Sequence, residues 1–248
     1  MVAVVVTIGV LGGVAACSAE SPPAPSATVT AQATTPISPP RSSSPVASKR
    51  VDPSLGGALL AAAAANEADG VRDLLQRGAD LGARDEAGRT PLVAAAKRNA
   101  IDAARVLIEA GADVNAKDDL QDSAYLYAGA EGLNEILELT LQHGADLRSV
   151  NRYGGTALIP ASEHGHVQTV RRLIAAGVDV DHVNTPRWTA LQEAVVYGDG
   201  SSKYQDTVRA LLDAGADPDI RDANGRTALE NAERKGQTAI ADLIRDRR

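Results

Sequence analysis

Beyond residue 55 the apolar positions of this chain fall into short stripes at helical spacing, separated by polar stretches that return at a near-fixed interval. One kind of stripe follows a hydroxyl residue: Leu92, Ala95 and Ala96 after Thr90-Pro91, Leu158 and Ala161 after Thr156, Leu191 and Ala194 after Thr189, Leu229 and Ala232 after Thr227. One unit departs from this and reads Ser123-Ala124-Tyr125 with Ala128. A hydroxyl in that place predicts a helix N-cap, and Pro91 suits the first helical position, where its missing N–H costs nothing. Leu with small Ala residues predicts a narrow apolar seam along which two helices pack closely. A second helix is predicted behind each, as over 101–110 with Ala104, Leu107 and Ile108, and Gly111 predicts its left-handed end. The polar residues 113–122 that follow have the length of a hairpin-like finger.

The glycine that closes each second helix opens a Gly-Ala-Asp-like triplet, at Gly78, Gly111, Gly144, Gly177 and Gly215, with intervals of 33, 33, 33 and 38 residues. A fixed period of this size means one small unit stacked several times, whose core forms between neighbours. Such a solenoid offers a long open face and rarely closes a catalytic pocket. The strings above, with Gly165-His166, resemble the ankyrin repeat over about residues 55–248. The resemblance implies an all-α ankyrin-repeat solenoid of helix-turn-helix units with finger loops, here over residues 51–248. The end units fit capping repeats: Gly57-Ala58-Leu59-Leu60 replaces the hydroxyl string at one end, and charged residues 245–248 close the other.

The first fifty residues are a different kind of chain. Residues 2–16 are apolar and uncharged, too few to span a bilayer, which takes about 20. They have the length of a signal-peptide h-region, so residues 1–16 are read as a signal peptide, although no Lys or Arg precedes the run. The stretch ends in Val14-Ala15-Ala16-Cys17, which resembles a bacterial lipobox and implies lipidation of Cys17, the single cysteine. Residues 17–50 are read as a disordered, lipid-anchored linker: residues 18–48 hold seven of the twelve prolines among Ser, Thr and Ala, without apolar periodicity. The expectation is an exported protein, held at a cell membrane by its lipid and facing the periplasm or the outside.

Charge narrows the partners. From residue 51 on, 22 basic residues face 31 acidic ones, a net of −9, which gives no electrostatic footprint for nucleic acid. The four histidines lack the spacing of a helical metal pair, and no nucleophile elbow, phosphate loop or dinucleotide fingerprint occurs. No catalytic residue, metal ligand or cofactor is therefore assigned, and a non-catalytic, monomeric module that binds an unidentified protein is expected.

Contacts in the resembled family come mainly from the fingers and the first helix of each unit. That register implies Arg152, Tyr153, Glu163 and His164 in one unit and Thr185, Trp188, Val196 and Tyr197 in the next. The chain has no Phe, one Trp and five Tyr, so Tyr153, Trp188 and Tyr197 in adjacent units stand out as anchors of a concave binding face, with Arg152, Glu163 and His164 around them. Trp188 packed down on a neighbouring finger is the competing reading. Tyr125, in a core position, is read as packing. The five extra residues of the long interval fall in 198–204, where a small-ligand or enzyme-like site is the alternative; a structural envelope protein without a specific partner is the third.

Overall fold

The computed structural model describes residues 51–247. The signal segment, Cys17 and the linker expected over 1–50 lie outside the described residues. Among the described residues, twelve α-helices follow a short 3-10 turn at Pro53–Leu55, in pairs. The first helices of the pairs are α1 (Gly56–Ala64), α3 (Pro91–Lys97), α5 (Ala124–Ala130), α7 (Leu158–Glu163), α9 (Ala190–Val196) and α11 (Ala228–Arg234). The second helices are α2 (Ala68–Gln76), α4 (Ile101–Glu109), α6 (Asn134–Gln142), α8 (Val167–Ala176), α10 (Ser202–Asp213) and α12 (Thr238–Arg245). Each first helix touches the first helix of the next unit, and each second helix the next second helix, so the pairs stand in a row. No strand occurs among the described residues.

The core runs the length of that row. Leu59, Leu92, Tyr125, Leu158 and Leu191 occupy equivalent places and are at most 1% exposed, with alanines such as Ala63, Ala96, Ala128 and Ala161 beside them. Burial of each large side chain contributes about 1.5–3 kcal/mol, and the alanines let the helices approach. Tyr125 is packing, as its position predicts, and its buried hydroxyl has no hydrogen-bond partner.

Caps define the helix ends. The hydroxyls of Thr90, Ser123, Thr189 and Thr227 each accept the backbone N–H three residues on. Thr227 adds a reciprocal bond, Glu230 accepting its backbone N–H at 2.9 Å. Thr156 departs from the pattern: its hydroxyl is buried without a partner and α7 starts later, at Leu158. Pro160 explains this, because it has no N–H to give the Thr156 carbonyl. Ile159 N donates to that carbonyl instead, at 3.2 Å, tightening the first turn. At the far ends, Gly177 takes the left-handed conformation (φ 93°), where a Cβ would be strained.

Each finger is closed by one Asx residue at its base. Asp85, Asp118, Asn151 and Asp222 accept backbone N–H groups two and four residues on through one side-chain oxygen, and Asn184 accepts only the second, from Trp188 at 2.8 Å. Neighbouring fingers join through the backbone: Asp119 N donates to Ala87 O at 3.1 Å, and Thr185 N to Tyr153 O at 2.9 Å.

The two threonines give a clean comparison. Thr227→Val should cost about 1 kcal/mol through the lost cap, lowering Tm by roughly 2–4 °C, whereas Thr156→Val removes only an unpartnered hydroxyl and should be neutral or stabilising. Equal losses in thermal melts would contradict this account of α7.

Candidate functional site at the junction of two repeats

The junction of α7, α9 and their two fingers holds a groove of ≈ 330 Å³ whose lining includes Tyr153, Glu163, Trp188, Glu193, Tyr197 and Asn184. Tyr153 sits on one finger and Trp188 at the base of the next; Glu163 ends α7, and Tyr197 caps α9. The Trp188 and Tyr197 rings meet edge to face, with centroids 5.3 Å apart and planes at 74°. Tyr153 and Tyr197 are 53% and 54% exposed, unusual for large aromatic side chains. Trp188 is half-buried, and its indole N–H is buried without a partner. The single tryptophan is therefore both part of the groove wall and partly packed down.

Four of the eight residues picked out by register, Tyr153, Glu163, Trp188 and Tyr197, thus share one groove. Arg152 lies outside the lining and stacks its guanidinium over the Tyr153 ring, 4.7 Å from the centroid. His164 turns toward the preceding repeat, with Nδ1 2.9 Å from Ala130 O, and its ring meets His166 edge to face at 5.5 Å. Thr185 uses its backbone to join fingers, and Val196 is half-buried.

Register did not reveal Glu193. It stands at the fifth position of its unit, where the others carry Ala94, Tyr127, Pro160 and Asn231. It is 5% exposed; Oε1 accepts from Asn184 Nδ2 at 2.9 Å, and Oε2 is buried without a partner. Burial, and then the Glu163 carboxylate across the groove, push its pKa up to about 7 against the pull of Asn184. Burial and the Glu193 and Glu163 charges also raise the Tyr197 phenol. The last full unit shows the alternative. There the carboxylate is on the finger and the amide on the helix: Asp222 accepts from Asn231 Nδ2 at 2.9 Å, and from Asn224 N and Arg226 N at 2.8 and 2.9 Å. Burial opposes ionisation of Asp222 too, but these bonds outweigh it and its pKa is lowered. Exchanging amide and acid between the two places is what leaves Glu193 underpaired. The sequence carried a signal for this, an acid where the other units carry none.

The insertion packs down against both neighbouring repeats. Tyr204 is buried and donates its hydroxyl to Glu163 O at 3.0 Å, while Lys203 Nζ donates to His164 O at 3.0 Å. From the other side Gln237 Nε2 and Lys235 Nζ donate to Gly198 O at 2.8 and 2.9 Å. A side chain at Gly198 would run into Ala194 O and the Tyr204 ring. The loop thus fixes the end of α7 that carries Glu163. No group of metal-ligating side chains occurs among the described residues, and no helix there is long and apolar enough to cross a membrane.

Comparison with known proteins agrees with this architecture. The family model described as ankyrin repeats (3 copies) matches residues 48–118 and 125–222. The crystal structure of an ankyrin repeat domain from Acinetobacter baumannii AYE is 54% identical, covers 77% of this chain and 97% of that one, and superposes with a TM-score of 0.75. The crystal structure of the ankyrin repeat protein EF0377 is 44% identical with the same coverage and a TM-score of 0.74. The putative ankyrin repeat protein YahD of Escherichia coli (strain K12) is 44% identical over 54 residues, which span 27% of its length and 22% of this chain. The chain belongs to the ankyrin-repeat family. Ankyrin repeats generally mediate protein–protein interaction and are typically non-catalytic.

The raised pKa of Glu193 has a measurable consequence for stability. Its folded pKa, about 7, lies above the ordinary glutamate value of 4.5, so its protonated form stabilises the fold at low pH and that contribution fades as pH rises through 7. Between pH 5 and 8 the wild type should lose up to about 3 kcal/mol relative to Glu193→Gln, followed by denaturant unfolding at each pH. Parallel stability profiles for the two proteins would contradict a buried, proton-binding Glu193.

Proposed function

We propose that this chain is a non-catalytic protein-binding module of the bacterial cell envelope, holding its partner against the fingers and first helices around Tyr153, Trp188 and Tyr197. The observation that carries the reading is the exposure of two tyrosines beside the one tryptophan in a groove between repeats, in a domain otherwise poor in aromatic residues. Large aromatic side chains at such places dominate interface energies. The net negative charge of the domain favours a partner with a basic surface over nucleic acid. The envelope location rests on the apolar start of the chain and the lipobox-like residues before Cys17, with the linker as tether.

Cross-linking of the full-length protein in its native membrane should yield a defined protein adduct. Tyr153→Ala and Tyr197→Ala should reduce that adduct at least tenfold while leaving Tm within about 2 °C of wild type, as for exposed positions. An unchanged adduct pattern in both variants would contradict a partner surface here. For the anchor, metabolic labelling with a fatty-acid probe should tag the wild type and not Cys17→Ser; equal labelling would remove the lipid from the account.

A further inference from the structure

We infer that the groove between α7 and α9 takes an arginine side chain of the partner protein, its guanidinium held against the Trp188 and Tyr197 rings and paired with Glu193 and Glu163. This rests on the protein-binding reading and names the chemistry of the contact. Three independent observations meet in it. The first is a carboxylate 95% buried whose Oε2 has no partner, although the fold elsewhere fully satisfies the same amide–acid pair by placing the acid on the finger, as at Asp222 and Asn231. The second is the aromatic wall, whose ring faces attract a planar cation. The third is the second carboxylate, Glu163, in the lining of the same groove. A guanidinium supplies five donors in a fixed fork and stacks on aromatic rings, which matches this set better than a compact ammonium does.

The arrangement also speaks for a peptide over a free cation. The buried indole N–H of Trp188 is a donor without a partner, and a guanidinium has no acceptor to offer it. A backbone carbonyl next to the arginine would. Glu193 is buried in the lining it shares with the rings, so entry moves the exposed Tyr197 ring aside and changes its edge contact with Trp188. Cation binding favours ionised Glu193. The groups that act on Glu193 are Glu163 from α7, Tyr197 at the end of its own helix and Asn184 from the finger. No charged group of α10 or α11, which also pack on α9, is among those acting on it.

The test uses the full-length protein and the fluorescence of Trp188, its single tryptophan. The probes are acetyl-Gly-Gly-Arg-Gly-Gly-amide, the same peptide with citrulline or lysine, and ethylguanidinium. The arginine peptide should bind at least tenfold more tightly than the citrulline peptide and more tightly than the lysine peptide. Its affinity should rise up to about tenfold from pH 6 to pH 8, as Glu193 ionises. Glu193→Gln should keep the fold, weaken binding at least tenfold and flatten that pH dependence. Equal binding of the citrulline peptide, no fluorescence change with any peptide, or an unaltered Glu193→Gln profile would overturn the inference. Ethylguanidinium binding as tightly as the arginine peptide would overturn the peptide assignment in favour of a free organic cation. The native cross-link separates the two levels: loss in Tyr153→Ala but not in Glu193→Gln would leave the protein-binding reading standing and remove the arginine pocket.

Discussion

No helix pair of this protein can bury its own apolar stripe, and each does so only against the pair beside it. That constraint sets the composition of the first helices. Ala96, Ala128 and Ala161 keep the facing surfaces flat enough for neighbouring helices to lie side by side, while Leu92, Leu158 and Leu191 fill the seam. It also turns the fifth position of several units inward: Ala94, Glu193 and Asn231 are buried there, while Tyr127 and Pro160 are half-buried. Ala94, Tyr127 and Pro160 tolerate this readily; Asn231 is satisfied by an acid across from it, at 2.9 Å. Glu193 is placed by the same packing and has an amide across from it, which satisfies one of its two oxygens.

The groove follows from how two adjacent units differ from the rest. One contributes Tyr153 on its finger and Glu163 at the end of a helix whose first turn Pro160 has tightened. The other contributes Trp188, Glu193 and Tyr197, together with the inserted turn whose Tyr204 holds the Glu163 carbonyl. The insertion therefore acts on the site through the backbone it fixes. Polar burial, ring geometry and the local excess of negative charge coincide at this one junction, and the protein-binding and arginine readings both draw on that coincidence.

Most of the architecture was legible in the sequence because each repeat rule leaves a residue behind. Thr and Ser mark the caps, Gly the left-handed helix ends, Leu and Ala the seam, and the period itself the row of pairs. The places where the rules failed are also physical. Thr156 has the capping residue but not the cap, since Pro160 withholds the N–H that would extend the turn. His164 is exposed as its register implies, and its ring also bonds to the repeat before it, because register fixes the direction of Cβ and not of the ring. Register placed Tyr153, Glu163, Trp188 and Tyr197 in adjacent units, and the structure brings them into one groove. Glu193 was missed, since its significance depends on which side of an Asn–acid pair carries the charge, and that appears only when two units are laid over each other.

The central claim is that repeat packing keeps a carboxyl group buried and short of partners in the lining of this groove. Carbon-13 NMR titration of the Glu193 side chain in the folded protein tests it most directly. The account predicts a midpoint near 7, displaced downward in Glu163→Gln. A midpoint at or below about 4.5, the ordinary glutamate range, would contradict it.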